Sequence, residues 1–269
     1  MNVRTPSIVL LATLVVAPPM AQAQSAAAAS SRPPADGAGE AYYRFVLGRH
    51  FESEGDIDRA IEAYRTAARL DPQSAEIPAE LAGLYARQGR LEDAIAQARR
   101  ALEIDGDNSE AHRVMGTLLA SAVEDTGPAT QRENKIAAAI SHLERAQHRP
   151  GRLPDPSVSL TLARLHLRTE NPAKAIEVLR RLVEDHPILE AWLLLGQAHT
   201  AAGEPEAAIR ALEEGSTFDA RLLVALAEMY EQRERWGDAA ATYERASAAD
   251  SSTADLRSRW AGALLNAPG

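Results

Sequence analysis

The 269-residue chain contains no cysteine. Disulfides, thiolate catalysis, zinc fingers and cysteine-ligated iron–sulfur clusters are therefore excluded together. Lysine is almost missing too: Lys135 and Lys174 stand alone against 27 arginines. Three Trp, six Tyr and three Phe make the chain poor in aromatics, and 16 Gly with 15 Pro are too few for a collagen-like or low-complexity chain. No block of Lys and Arg occurs, and 29 basic against 38 acidic residues give a formal charge of −9. A nucleic-acid backbone is gripped by a basic surface that releases counterions, so no nucleic-acid partner is expected. What is present, 45% hydrophobic and 25% charged residues, is ordinary for a folded protein.

The first 40 residues read as address and tether. Arg4 precedes an apolar stretch, Ile8 to Ala17, which is followed by Pro18-Pro19 and Ala21-Gln22-Ala23. That order matches a secretory signal peptide over 1–23, with cleavage expected between Ala23 and Gln24. Ten residues make roughly 15 Å of helix against a bilayer core of about 30 Å, so no stable membrane anchor is expected after cleavage. No cysteine follows the stretch, which excludes a lipoprotein anchor. The expected location is the periplasm or the outside of the cell. Residues 24–40, rich in Ala, Ser, Pro and Gly, lack the large apolar side chains that offset ordering entropy, and are expected as a disordered linker.

From residue 41 the chain repeats itself. Leu47-Gly48, Phe51, Gly55, Ala60-Ile61 and Ala67 are answered 34 residues later by Leu81-Ala82, Tyr85, Gly89, Ala94-Ile95 and Ala101. The phrase returns at Met115-Gly116, Leu162-Ala163, Leu195-Gly196 and Leu226-Ala227, and partially at Trp260-Ala261. Apolar residues three and four apart place two amphipathic helices in each unit. Small residues at recurring positions let helices approach, and Gly55, Gly89 and Gly203 are expected to end first helices. Pro72 and Pro187 fall beyond second helices that they cannot continue.

This pattern resembles the tetratricopeptide repeat, a 34-residue helix-turn-helix unit. Trp192, Leu195, Gly196, Ala208 and Leu212 carry the resemblance in one unit, and Leu47, Gly48, Phe51, Ala60, Tyr64, Ala67 and Pro72 in another. It implies an all-α fold: an α-solenoid of tandem repeats forming a right-handed superhelix, with a concave groove lined mainly by first helices. Six repeats are expected at 41–74, 75–108, 109–155, 156–188, 189–219 and 220–253. The third carries a polar insertion, 122–135, expected as a loop between its helices. Residues 254–266 are either a capping helix or half of a seventh repeat.

No sequence motif of a metalloprotease, phosphate-binding loop or hydrolase nucleophile is present, so no catalytic residue, metal or other cofactor is assigned. None of the seven histidines has another at i+4, and His166 and His199 occupy the slot that Phe51, Tyr85 and Tyr230 fill elsewhere, which makes them packing residues. The expected site is the groove. Offsets from the repeated phrase put Tyr42, Phe45 and Arg49, then Arg87, then Arg113 and Thr117 on its face. Leu160, Arg164, Leu167 and Arg168 follow, then Leu193 and Gln197. Arginines at that spacing suit a protein or peptide segment bearing carboxylates; the alternative is that they pair with Glu and Asp of adjacent helices. The Lys and Asn clamp by which some relatives hold chaperone C-termini is absent. The reading is a non-enzymatic interaction scaffold or assembly factor. Two alternatives stand: the recruiting part of an enzyme whose catalytic part lies elsewhere, and self-association through the end helix around Trp260.

Overall fold

The structure, a computed structural model, describes residues 36–122, 128–147, 155–249 and 254–267. Among these there are thirteen helices and no strand. They pair in order: α1 (Asp36–Ser53) with α2 (Ile57–Leu70), α3 (Glu76–Arg87) with α4 (Leu91–Ile104), and α5 (Ser109–Ser121) with α6 (Ala129–Gln147). Then come α7 (Pro156–Arg168) with α8 (Pro172–Asp185), α9 (Leu189–Ala201) with α10 (Pro205–Gly215), α11 (Leu222–Gln232) with α12 (Trp236–Ala249), and last α13 (Ala254–Asn266). Each first helix packs on its own second helix and, from α3 to α11, on the next first helix. That neighbour-to-neighbour stacking is a helical solenoid.

The turn inside a unit is a repeated local device. The amide that follows the turn reaches back five residues to a carbonyl of the first helix: Asp56 to Phe51 (2.9 Å), Arg90 to Tyr85 (2.9 Å), Asn171 to His166 (2.8 Å), Glu204 to His199 (2.9 Å) and Arg235 to Tyr230 (2.9 Å). This closure needs one left-handed residue before the bonded amide. Gly55, Gly89 and Gly203 supply it at φ of 78°, 71° and 75°, but Glu170 and Glu234 hold the same place at 54° and 56°. Second helices then start on side-chain caps where the sequence offers them: Asp56 accepts from the Arg59 amide and Asn171 from the Lys174 amide. Asp56 is held below the usual carboxylate range by those hydrogen bonds from Arg59.

The buried side chains fall into three clusters. One runs from Ala60 to Val114, a small one joins Ile136, Leu143 and Leu162 around α6 and α7, and the largest runs from Leu160 to Ala263. Close approach is visible at Gly116, where a Cβ would lie 2.6 Å from Leu143 Cγ.

Two boundaries differ from the sequence reading. The helix α1 begins at Asp36, inside the stretch expected as linker, because Asp36 to Glu40 continue the helix without a break. The segment 122–135 is not wholly a loop: Ala129–Lys135 are the first turns of the 19-residue α6, which is why the third unit is long. Residues 1–35, including the cleavage site Ala21, Ala23 and Gln24, and residues 123–127 of the insertion lie outside the described residues.

Candidate protein-interaction surface

The surface in question is the row of first helices. On α3 the stripe Glu76, Glu80, Gly83 and Arg87 recurs at helical spacing, so it forms one face. Gly83 leaves that face low: a Cβ there would stand 3.2 Å from Glu110 Oε1 and 3.7 Å from the Arg87 and Arg113 guanidiniums. Two helices, α3 and α5, thus bring Arg87, Glu110 and Arg113 over a single glycine.

The arginines assigned to this face are largely engaged. Arg87 of α3 pairs with Glu52 of α1, and Arg164 of α7 pairs with Glu190 of α9, so both tie successive first helices together. Arg113 holds Glu110 on its own helix through two nitrogens, the Nε bond being 2.8 Å. Arg259 of α13 reaches Glu228 of α11, again between first helices of successive units. By contrast, Arg49 and Arg168 make no ion pair among the described residues, and both are exposed. Such half-exposed pairs contribute ~0–1 kcal/mol each, so a partner can exchange them at little cost.

Glu80 stands beside this lattice without an ion pair among the described residues. Partial burial first, and the charges of Glu110 and Glu52 second, raise its carboxyl above the usual range, while Arg49 acts the other way. Glu52 also accepts a hydrogen bond from the Tyr64 hydroxyl (3.1 Å), and burial of that phenol pushes its proton loss far up. The sixth unit repeats the contact at the same 12-residue separation, Tyr243 donating to Glu231 (3.1 Å), with the Tyr243 hydroxyl raised to about 12 mainly by burial.

The other assigned residues divide between surface and core. Tyr42 is 71% exposed, and Gln197 and Thr117 are exposed, the Thr117 hydroxyl donating to its own Arg113 carbonyl at 2.8 Å. Phe45 is half-buried against Tyr64, with ring centroids 5.5 Å apart. Leu167 and Leu193 are half-buried against the large core. Leu160 is a correction: it is a core residue, because its position on α7 turns toward α8 and α9 rather than toward the open face. His166 and His199 are both 3% exposed, in the packing slot. Sequence reasoning missed the pairing of His112 with His142, whose Nδ1 atoms are 2.8 Å apart across α5 and α6. It also missed which glutamates hold the arginines. The shared spacing of Glu52–Tyr64 and Glu231–Tyr243 signals only the tyrosine contacts, not the arginine pairs.

Among the described residues no group of three or more His, Asp or Glu is placed to hold a metal, and no helix is long and apolar enough to cross a membrane.

Paired helices in a 34-residue phase, closed by one recurring turn and stacked on their neighbours, define a repeat solenoid. Models of the tetratricopeptide repeat match residues 52–118 and 131–187, 160–217, and 222–256, together more than half of the chain. The chain belongs to the tetratricopeptide-repeat proteins. It is 29% identical over 198 residues to the BBSome complex member BBS4 of Bos taurus, an alignment covering 65% of this chain and 38% of that protein. The solved structure of Pseudomonas aeruginosa pilF superposes with a TM-score of 0.59 at 18% identity, covering 85% of this chain and all of that one. YrrB, described as a TPR protein with an unusual peptide-binding site, superposes at 0.58 and 20% identity, covering 76% and 97%. At those identities the two structures show the shared fold.

Proposed function

We propose that this chain is an exported, non-catalytic scaffold that binds a segment of a partner protein along its first-helix face. One observation carries the reading: Arg49 and Arg168 are exposed on that face and make no ion pair among the described residues, whereas Arg87 and Arg164 pair with Glu52 and Glu190, the alternative set out for them. Ion pairs of this kind keep the side chains ordered and charged, and they open readily to a competing carboxylate or guanidinium. The half-buried Leu167 of α7 and Leu193 of α9 add apolar footholds on the same row of first helices. The partner that suits such a lattice is an extended or helical segment carrying carboxylates, with apolar side chains between them. Export to the periplasm or beyond follows from the order of residues 1–23, and the family supplies binding rather than chemistry.

The test is site-directed photocrosslinking in the native compartment. A crosslinking side chain at Thr117 or Gln197, both exposed on first helices, is expected to capture the same partner. The same group on the second-helix face, at Arg99 of α4, is expected to capture none. Partners taken equally from both faces would overturn the assignment.

A further inference from the structure

Among the described residues, three clefts of the second-helix face each lie between neighbouring second helices with a first helix as the floor. One of about 440 Å³ lies between α2 and α4 over Tyr85, and one of about 320 Å³ lies between α6 and α8 over Leu162 and His166. The third, about 400 Å³, lies between α8 and α10 over Trp192, Leu195 and His199. They are equivalent places in one repeat, so their differences are informative.

In the first two the rim is tied. Arg65 donates to the Tyr85 hydroxyl at 3.0 Å; Lys174 bridges to Glu144 at 3.5 Å, and Arg181 to Glu177 at 2.7 Å. In the third, the side chains of Arg180 and Glu184 of α8 and of Arg210 and Glu214 of α10 make no hydrogen bond or ion pair among the described residues. Beneath them Trp192 is 3% exposed, and its indole N–H is the one buried side-chain donor without a partner among the described residues. The helices α8 and α10 are both joined to α9 by short turns, so they run in the same direction. Each wall therefore presents an arginine and, one turn later, a glutamate. The cleft is polarised, with guanidiniums at one end and carboxylates at the other.

The chain itself exposes the complement. On α1, Glu40, Tyr43 and Arg44 share a face at i, i+3 and i+4. Glu40 and Arg44 are half-exposed and pair with each other at 2.7 Å, and the Arg44 guanidinium also lies 5.7 Å from the centre of the Tyr43 ring. Tyr43 is 56% exposed and Val46 45%, so the two form a largely exposed apolar ridge. We propose that α1 of one copy docks into the α8/α10 cleft of a second copy. Glu40 meets Arg180 and Arg210, Arg44 meets Glu184 and Glu214, and Tyr43 fills the cavity, bringing a phenol oxygen to the Trp192 N–H. Donor and receiver are different patches of the same chain, so the contact is heterologous and can propagate from copy to copy. It is independent of any partner on the first-helix face.

Sedimentation velocity of the purified chain over roughly a hundredfold range of concentration tests this. The average mass is expected to rise with concentration, less so at high salt. Exchanging the α1 charges (Glu40→Arg with Arg44→Glu) is expected to weaken association at least about tenfold. Exchanging the cleft charges (Arg180→Glu, Arg210→Glu, Glu184→Arg, Glu214→Arg) should do the same, and both exchanges in one chain should restore it. Each exchange leaves net charge unaltered, and helical circular dichroism confirms that the variants are folded. A chain that stays monomeric throughout overturns the proposal. So does association that survives either exchange, or that the double exchange does not restore.

Discussion

The second helices α4 and α8 occupy equivalent places, are both 14 residues long, and are held together by different side chains. The helix α4 buries Ala94, Ala98 and Ala101; at the corresponding positions α8 buries Ala175, Leu179 and Leu182. All six are at most 1% exposed. The backbone is the same, but α8 removes far more apolar area from water, which is where most of the free energy of burial lies. What the repeat specifies is a phase and a set of slots. How full the slots are sets how firmly each unit is held, and that varies along the chain. Both clusters bury two tyrosines, but the amino-terminal one is otherwise mostly alanine, while the carboxy-terminal one holds many leucines and a tryptophan as well.

The contrast can be broken most forcefully at Leu179. Leu179→Ala turns α8 into a copy of α4 at that slot and is expected to destabilise the protein by about 2–5 kcal/mol, measured by urea denaturation. Native-state hydrogen exchange sharpens the point without mutation: amides of α4 are expected to open before those of α8.

Smaller effects are expected at the glycine of the repeated phrase. A Cβ at Gly48 would lie 2.7 Å from the Tyr64 ring, which is fully buried and fixed by its bond to Glu52. A Cβ at Gly196 would lie 3.2 Å from the Leu212 side chain, which can yield. Gly48→Ala should cost ~1–3 kcal/mol, as overpacking does. For Gly196→Ala the helical preference of alanine, worth up to ~1 kcal/mol, should largely offset the strain. Equal losses in thermal melts would contradict this difference.

The turns offer a gain. Glu170 and Glu234 sit in the left-handed region where three other units have glycine. Glu170→Gly and Glu234→Gly should each stabilise by roughly 1 kcal/mol, whereas Gly89→Ala should lose about as much.

The smallest effect is with pH. Burial, and then the neighbouring charge of His112, lowers the His142 pKa; burial, and then Lys174, lowers that of His166, against a smaller opposite effect of Glu144 and Glu177. Both histidines therefore bind protons more readily when the chain is unfolded. Their contribution is complete above the ordinary histidine range near pH 6.5 and is lost as pH falls below it. His142→Gln should flatten the fall in denaturation midpoint between roughly pH 7 and pH 5. An unaltered slope would remove His142 from the account.

Much of the fold could be read from the chain because it is said six times. The left-handed glycines, the Leu-Gly phrase and the aromatic slot each recur, so one ambiguous unit is corrected by its neighbours. The insertion was misread as loop because polar residues 129–135 extend a helix that has no core to face there. Leu160 was misplaced because offset alone does not say how far a helix turns between its neighbours. The pairing of the arginines was less legible still. Glu52 with Arg87 is 35 residues apart and Glu190 with Arg164 is 26 apart, separations set by the stacking of units and not by any local pattern.

The central claim is that a partner lies along the first helices. Hydrogen exchange of the chain, with and without a captured partner at one fixed chain concentration, tests it most directly. Added protection is expected in α3, α5, α7 and α9, with α4, α8 and α10 unaltered. Protection confined to the second helices would contradict it.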